Sequence, residues 1–126
     1  MNLVDSSGWL EYFANGPNAQ FFAPAIQDTE NLLVSSINIY EVFKRILQQR
    51  GETDALQAVA SMMQGTVVVV TPAIAMRAAK LSDTLKIPLA DSMILATARE
   101  HNAVVWTQDG DFEELADVNY IEKQTS

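Results

Sequence analysis

Cysteine is missing from this chain of 126 residues, and histidine occurs once, as His101. A disulfide framework and a thiolate metal site are excluded, and a zinc site of the usual cysteine and histidine ligands has nothing to build on. Cations are scarce as well. Eight Lys and Arg stand against sixteen Asp and Glu, for a net charge of -8. Proteins that hold nucleic acid by charge alone are usually basic, because phosphate neutralisation drives their affinity. If this chain handles nucleic acid, a metal ion, a partner protein or a local basic patch must mediate. No apolar run approaches the roughly 20 residues that span a bilayer, so no membrane partner is expected. Met1-Asn2-Leu3-Val4-Asp5 lacks the basic start and apolar middle of a signal peptide. The expected setting is the cytoplasm of a microbe. Glycine and proline are few, five and four, and are expected at element boundaries.

What is present is a core. Apolar residues make up 48% of the chain, too many for a disordered segment, and the length suits one domain over residues 1–126. Asn2-Leu3-Val4-Asp5 reads as a strand, followed by a helix capped by Asp5 or Ser6 that carries Trp9, Leu10, Tyr12 and Phe13. Gly16-Pro17 breaks it, and Phe21, Phe22, Ala25 and Ile26 stripe the next helix. A second strand, 31–35, leads through a Ser36 cap into a helix over 37–50, with Ile39, Phe43, Ile46 and Leu47 on its buried face. Leu56, Val59, Ala60 and Met63 mark another helix over 53–64. Thr66 to Thr71 is the clearest strand, and its four valines predict burial on both faces. Helices over 72–86 and 89–101, a strand over 103–107, a helical turn over 112–115 and a short strand over 118–121 complete the pattern. A polar tail from Glu122 is expected to fray. Strands alternating with helices predict an α/β fold of three layers: a mostly parallel five-stranded sheet with helices on both faces.

One stretch organises the rest: Pro88-Leu89-Ala90-Asp91-Ser92-Met93-Ile94-Leu95-Ala96-Thr97-Ala98. It sets a carboxylate, Asp91, in an apolar surround, where a charge is costly unless something pairs with it. Ligands of open parallel sheets bind at the carboxyl ends of the strands. Asp5 closes the first strand, Asp109 follows the fourth, and Glu41 lies early in the helix after the second. Each has an ordinary reading. Asp5 caps a helix, Glu41 pairs with Lys44 and Arg45, Asp91 meets a helix dipole, and Asp109-Gly110 makes a turn. Together they would have to converge on one edge by chance. Four converging acids repel by about 4 kcal/mol per pair at an effective dielectric near 20, and a divalent cation removes that conflict. Oxygen-only ligation suits Mg²⁺ or Mn²⁺, and such a site favours phosphodiester hydrolysis by a metal-activated water. Thr107, Ser6 and Asn38 are accessory candidates that would hold waters or orient carboxylates; as an ordinary reading they are caps.

In the order Val4-Asp5-Ser6-Ser7, Ser36-Ile37-Asn38-Ile39-Tyr40-Glu41-Val42, Leu89 to Ala98 and Trp106-Thr107-Gln108-Asp109-Gly110-Asp111-Phe112, the chain resembles the PIN-domain ribonucleases, in particular VapC-type toxins of toxin–antitoxin pairs. The resemblance covers nearly the whole chain. It implies Mg²⁺- or Mn²⁺-dependent endoribonuclease activity on RNA, with catalytic and metal roles at Asp5, Glu41, Asp91 and Asp109 and an accessory position at Asp111. It also implies a homodimer and a cognate antitoxin protein that blocks the acidic pocket. RNA would lean on the metal and on cations such as Lys44, Arg45, Lys86 or Arg99. Two rival readings stand beside it. One is a PIN-like scaffold that binds a partner without catalysis. The other is a phosphoacceptor receiver domain, disfavoured because Thr71-Pro72 leaves no acid after the third strand.

Overall fold

In the structure, a computed structural model that describes residues 1–124, the elements run β1 (Asn2–Val4), α1 (Ser6–Phe13), α2 (Ala19–Gln27), a 3-10 turn (Thr29–Asn31), β2 (Leu32–Ser35), α3 (Ser36–Arg50) and α4 (Glu52–Met62). They continue as β3 (Thr66–Val68), α5 (Pro72–Leu85), α6 (Leu89–Glu100), β4 (Val104–Thr107), a second 3-10 turn (Gly110–Phe112) and β5 (Val118–Tyr120). The five strands form one sheet in the order β3-β2-β1-β4-β5, and every pairing is parallel. The chain steps outward from β1 through β2 to β3, then crosses to the other flank of β1 for β4 and β5. The topology therefore switches direction at β1, and the crevice beyond its carboxyl end is the natural ligand site. A receiver domain, with strand order 2-1-3-4-5, is excluded.

Alternate residues of the central strands feed two cores, as the two-residue period of a strand requires. Val4, Leu32 and Val34 pack with Trp9, Phe22, Val42 and Met62 on the side of α1 to α4. Leu3, Leu33 and Val105 pack with Ile94, Leu95 and Ala98 of α6 on the other. Ile74 and Ala78 of α5 close over Ala96. The result is the expected three layers. Among the described residues no helix is long and apolar enough to cross a membrane.

Several local expectations need correcting. The valine run is not a buried central strand: β3 ends at Val68, lies at the sheet edge, and leaves Val67 37% and Val69 64% exposed. Helix α4 turns Ala55, Ala58 and Met62 inward, so Leu56 and Met63 face solvent. On α3 the buried stripe is Asn38, Val42 and Ile46, with Leu47 exposed. The cap of α3 is Ser35, whose Oγ accepts from Ile37 N. Gly8 and Pro24 lie inside α1 and α2, not at boundaries. At Gly8 the reason is packing: a Cβ there would come within 2.6 Å of Val4 Cγ1 and 2.7 Å of the Phe22 ring. Of the polar tail, residues 122–124 carry no helix or strand, and its last two residues lie outside the described part.

Candidate active site

The site is assembled from strand ends and helix starts. Asp5 follows β1 directly and caps α1, its Oδ1 accepting from Gly8 N at 3.0 Å and Ser7 Oγ at 2.7 Å. Its Oδ2 accepts from Thr107 Oγ1 at 2.7 Å. That contact follows from register: Val4 pairs with Trp106, so the next residues of the two strands emerge side by side. Thr107 Oγ1 in turn accepts from Asp109 N at 2.9 Å, tying the loop after β4 to the end of β1. Asp109 caps the following 3-10 turn, its Oδ1 accepting from Asp111 N at 3.0 Å. Asp91 arrives from another direction, in the first turn of α6.

Carboxylate oxygens of Asp91, Asp109 and Asp111 lie within 4.8 Å of one another. Asp91 is half-buried, and its pKa is pushed from the ordinary 3.8 up to about 8, first by burial, then by the charge of Asp109 and the contact with the Asp111 carboxyl, with Asp5 adding to the repulsion. Asp5 is 2% exposed. Burial pushes its pKa up to about 6 against the lowering effect of its three hydrogen bonds, with Asp109 also raising it. An all-carboxylate donor set gathered beyond the ends of β1 and β4, in which burial and mutual repulsion raise the pKa values of Asp5 and Asp91, fits a hard divalent cation. These residues would hold such an ion; they offer it oxygen ligands and no nitrogen or sulfur.

Glu41 sits apart from that trio. Its Oε1 accepts from Ser6 Oγ at 2.7 Å, Ser6 Oγ accepts from Asn38 Nδ2 at 3.1 Å, and Asn38 Oδ1 accepts from Ser35 N at 3.1 Å. This chain fastens Glu41 to the start of α1, next to Asp5. The ordinary reading of Glu41 as an ion-pair partner of Lys44 or Arg45 fails: the described ion pairs are Arg77–Glu100 and Lys86–Asp83. Asp5 and Asp109 thus follow the carboxyl ends of β1 and β4, Asp91 lies in the first turn of α6, and Glu41 lies in the second turn of α3, the helix that follows β2. The accessory residues Ser6, Asn38 and Thr107 make hydrogen bonds to them or to their neighbours. Asp111, an accessory position from sequence, joins Asp91 and Asp109 in one cluster, while Asp5 is occupied by protein donors. Gln108 was not singled out. It is buried, and its Oε1 accepts from Asn18 Nδ2 at 2.9 Å.

Fold and site together define a three-layer α/β protein with an acidic pocket at the carboxyl edge of its parallel sheet. The sequence matches the PIN-domain family over residues 3–118, and the chain belongs to that family. Among solved structures it is similar to a toxin–antitoxin complex from Klebsiella pneumoniae, at 24% identity over 94% of this chain and 95% of that one, with a TM-score of 0.79. It is similar to VapC20 of Mycobacterium tuberculosis, described as a sarcin-ricin-loop-cleaving toxin, at 18% identity over 94% and 98% of the two chains and a TM-score of 0.78. A DNA-bound VapBC from Salmonella typhimurium aligns at 18% identity over 97% and 98%, with a TM-score of 0.75. At these identities the likeness establishes the fold. No curated protein matches the sequence.

Proposed function

We propose that the chain is a single-domain, Mg²⁺- or Mn²⁺-dependent endoribonuclease and the toxin of a type II toxin–antitoxin pair. The observation that carries this reading is the convergence of Asp91, Asp109 and Asp111 on one point beside Asp5. A cation bound there supplies charge compensation for the acids and for the phosphodiester being cut. Asp91, Asp109 and Asp111 would hold the cation through carboxylate oxygens, and Asp5 fixes the arrangement through Thr107 while contributing charge to the same centre. Glu41, held by Ser6, orients the attacking water and accepts its proton. The residues act by position and charge, which suits in-line hydrolysis without a covalent intermediate. The toxin role, a cognate antitoxin, a homodimer and a cytoplasmic setting rest on the PIN family together with the likeness to toxins solved with their antitoxins.

The test is cleavage of RNA by the purified chain with Mg²⁺, with EDTA, and with the Asp91→Asn variant. Cleavage that needs the metal and disappears in the variant supports the reading. Cleavage that survives both treatments would place the activity elsewhere. A chain that neither cuts RNA nor binds Mg²⁺ by calorimetry would be a partner-binding scaffold.

A further inference from the structure

A cleft of about 690 Å³ opens beside the acidic pocket, between α1, α3, α4 and the segment after β5. It is lined by Arg45, Arg50 and Lys123, three of the eight cations in a chain of net charge -8. A smaller cleft of about 450 Å³ carries Asp109 and shares Ser7, Gln108 and Lys123 with the first. The two clefts adjoin at these residues along a line from Asp109 toward the end of α3, which we take as one path; Glu122 also lines the smaller cleft. The remaining five cations lie off it: Arg77 pairs with Glu100, Lys86 with Asp83, Lys44 stands 5.7 Å over the Tyr40 ring, and Lys80 and Arg99 line neither cleft.

The gathering of these three cations is not explained by local pairing. Arg45 lies four residues after Glu41, the usual spacing for a helical ion pair, yet Glu41 is taken by Ser6. Arg50 has the dipole at the end of α3 to favour it, which does nothing for Arg45 or Lys123. Two acids also line the cleft, Glu11 and Asp54. The Glu11 carboxylate accepts from Asn18 N at 2.9 Å, and Asp54 stands in the first turn of α4, where the dipole favours it. No ion pair to any of the three cations occurs among the described residues. Lys123 is brought here by a buried tether: Asn18 Nδ2 donates to Gln108 Oε1 at 2.9 Å and to Glu122 O at 3.0 Å.

We propose that this cleft holds the phosphate backbone of single-stranded RNA next to the scissile bond, with Arg45, Arg50 and Lys123 as its phosphate contacts. The proposal rests on the ribonuclease reading. It resolves the mismatch between an acidic protein and a polyanionic substrate: cations spread over the sequence are collected on one path to the acids. It also revises which cations matter. Of Lys44, Arg45, Lys86 and Arg99, named from sequence, only Arg45 lines the path, while Arg50 and Lys123 were missed.

The experiment measures binding of a labelled, short single-stranded oligouridylate to the full chain carrying Asp91→Asn, as a function of salt. Arg45→Gln, Arg50→Gln and Lys123→Gln are compared with Lys80→Gln and Lys86→Gln, all checked for folding by circular dichroism. Each phosphate contact to a single strand contributes about 0.7 to the slope of log K against log salt. Each cleft variant is expected to weaken binding and to flatten that slope by about this amount, Arg50→Lys to keep it, and the two remote variants to change neither. Cleft variants indistinguishable from the remote ones, in a chain whose unsubstituted form cleaves RNA, would overturn the cleft and leave the ribonuclease reading standing. An unsubstituted chain that neither binds nor cleaves RNA would remove both. Substitutions that release a partner protein while leaving the RNA slope unchanged would also overturn the proposal, and give the cleft to that partner.

Discussion

At the scale of single residues, Asp5 is the least free of the acids. Three donors hold its two oxygens, and its environment favours the protonated form. A rise from 3.8 to about 6 corresponds to roughly 3 kcal/mol lost from the fold when Asp5 ionises without a cation. Asp5→Asn removes that charge and keeps an acceptor for Ser7 and Gly8, while its amide can donate to Thr107 Oγ1. We expect the variant to be at least as stable as the parent at pH 8 without metal, measured by urea denaturation, and to lose about 100-fold or more in RNA cleavage. A variant that unfolds would show that Asp5 is structural first. Thr107 is the joint between Asp5 and Asp109. Thr107→Val leaves a buried acceptor and the Asp109 N–H without their partner, so it should destabilise by about 1–3 kcal/mol and depress cleavage. Thr107→Ser should restore both, and a valine variant with full activity would contradict the joint. The positions of Asp5, Asp91 and Asp109 were legible because each stands at or within a few residues of a predicted element boundary, whereas Glu41 was placed by its position early in a predicted helix. The approach of Asp111 to Asp91 was not legible: it depends on the 3-10 turn after Asp109, which brings its carboxyl back toward Asp91, and no local sequence signal carries that contact.

At the scale of elements, α1 positions the site, since Asp5, Ser6 and Ser7 form its cap and first turn. Its depth against the sheet is set by Gly8, where no side chain separates the helix from Val4 and Phe22. Gly8→Ala gains helix propensity of about 1 kcal/mol but drives a methyl into two fully buried side chains, an overpacking cost of about 1–3 kcal/mol. A net loss of stability is expected, with a lower urea midpoint and reduced cleavage as Asp5 and Ser6 shift. An unchanged midpoint would mean that α1 can move without cost. The alternation of strand and helix was readable because hydrophobic period and capping are local. The orientation of α4 and the exposure of β3 were not. Helical spacing in α4 fits two faces, one through Leu56 and Met63 and one through Ala55, Ala58 and Met62, and α3 selects the small-residue face by close packing. Four valines carry no record of strand order, and it is order that leaves β3 at the edge.

At the scale of the whole molecule, the acidic pocket couples folding to pH and, on the proposed reading, to metal. In the absence of a cation, Asp5 and Asp91 have pKa values above 3.8, at about 6 and about 8. Both bind protons more tightly in the folded chain than in the unfolded one. Their contribution to stability is therefore greatest where both are protonated in the fold, and it falls as pH rises toward 6 for Asp5 and toward 8 for Asp91. Asp91 is half-exposed, so solvent screening reduces its share. On the proposed reading, a divalent cation bound to the ionised acids would compete with those protons and reverse the loss. A ligand at 100 times its dissociation constant stabilises the native state by about 2.7 kcal/mol. Thermal unfolding at pH 5.5 and pH 8.5, with EDTA and with Mg²⁺, should show two things. The metal-free chain should melt lower at pH 8.5, and Mg²⁺ should raise its midpoint more there than at pH 5.5. Asp91→Asn should flatten the pH dependence and abolish most of the Mg²⁺ shift. A metal-free chain that gains stability toward pH 8.5, or a Mg²⁺ shift of equal size at both pH values, would mean that the acids do not share the electrostatic conflict that their convergence requires.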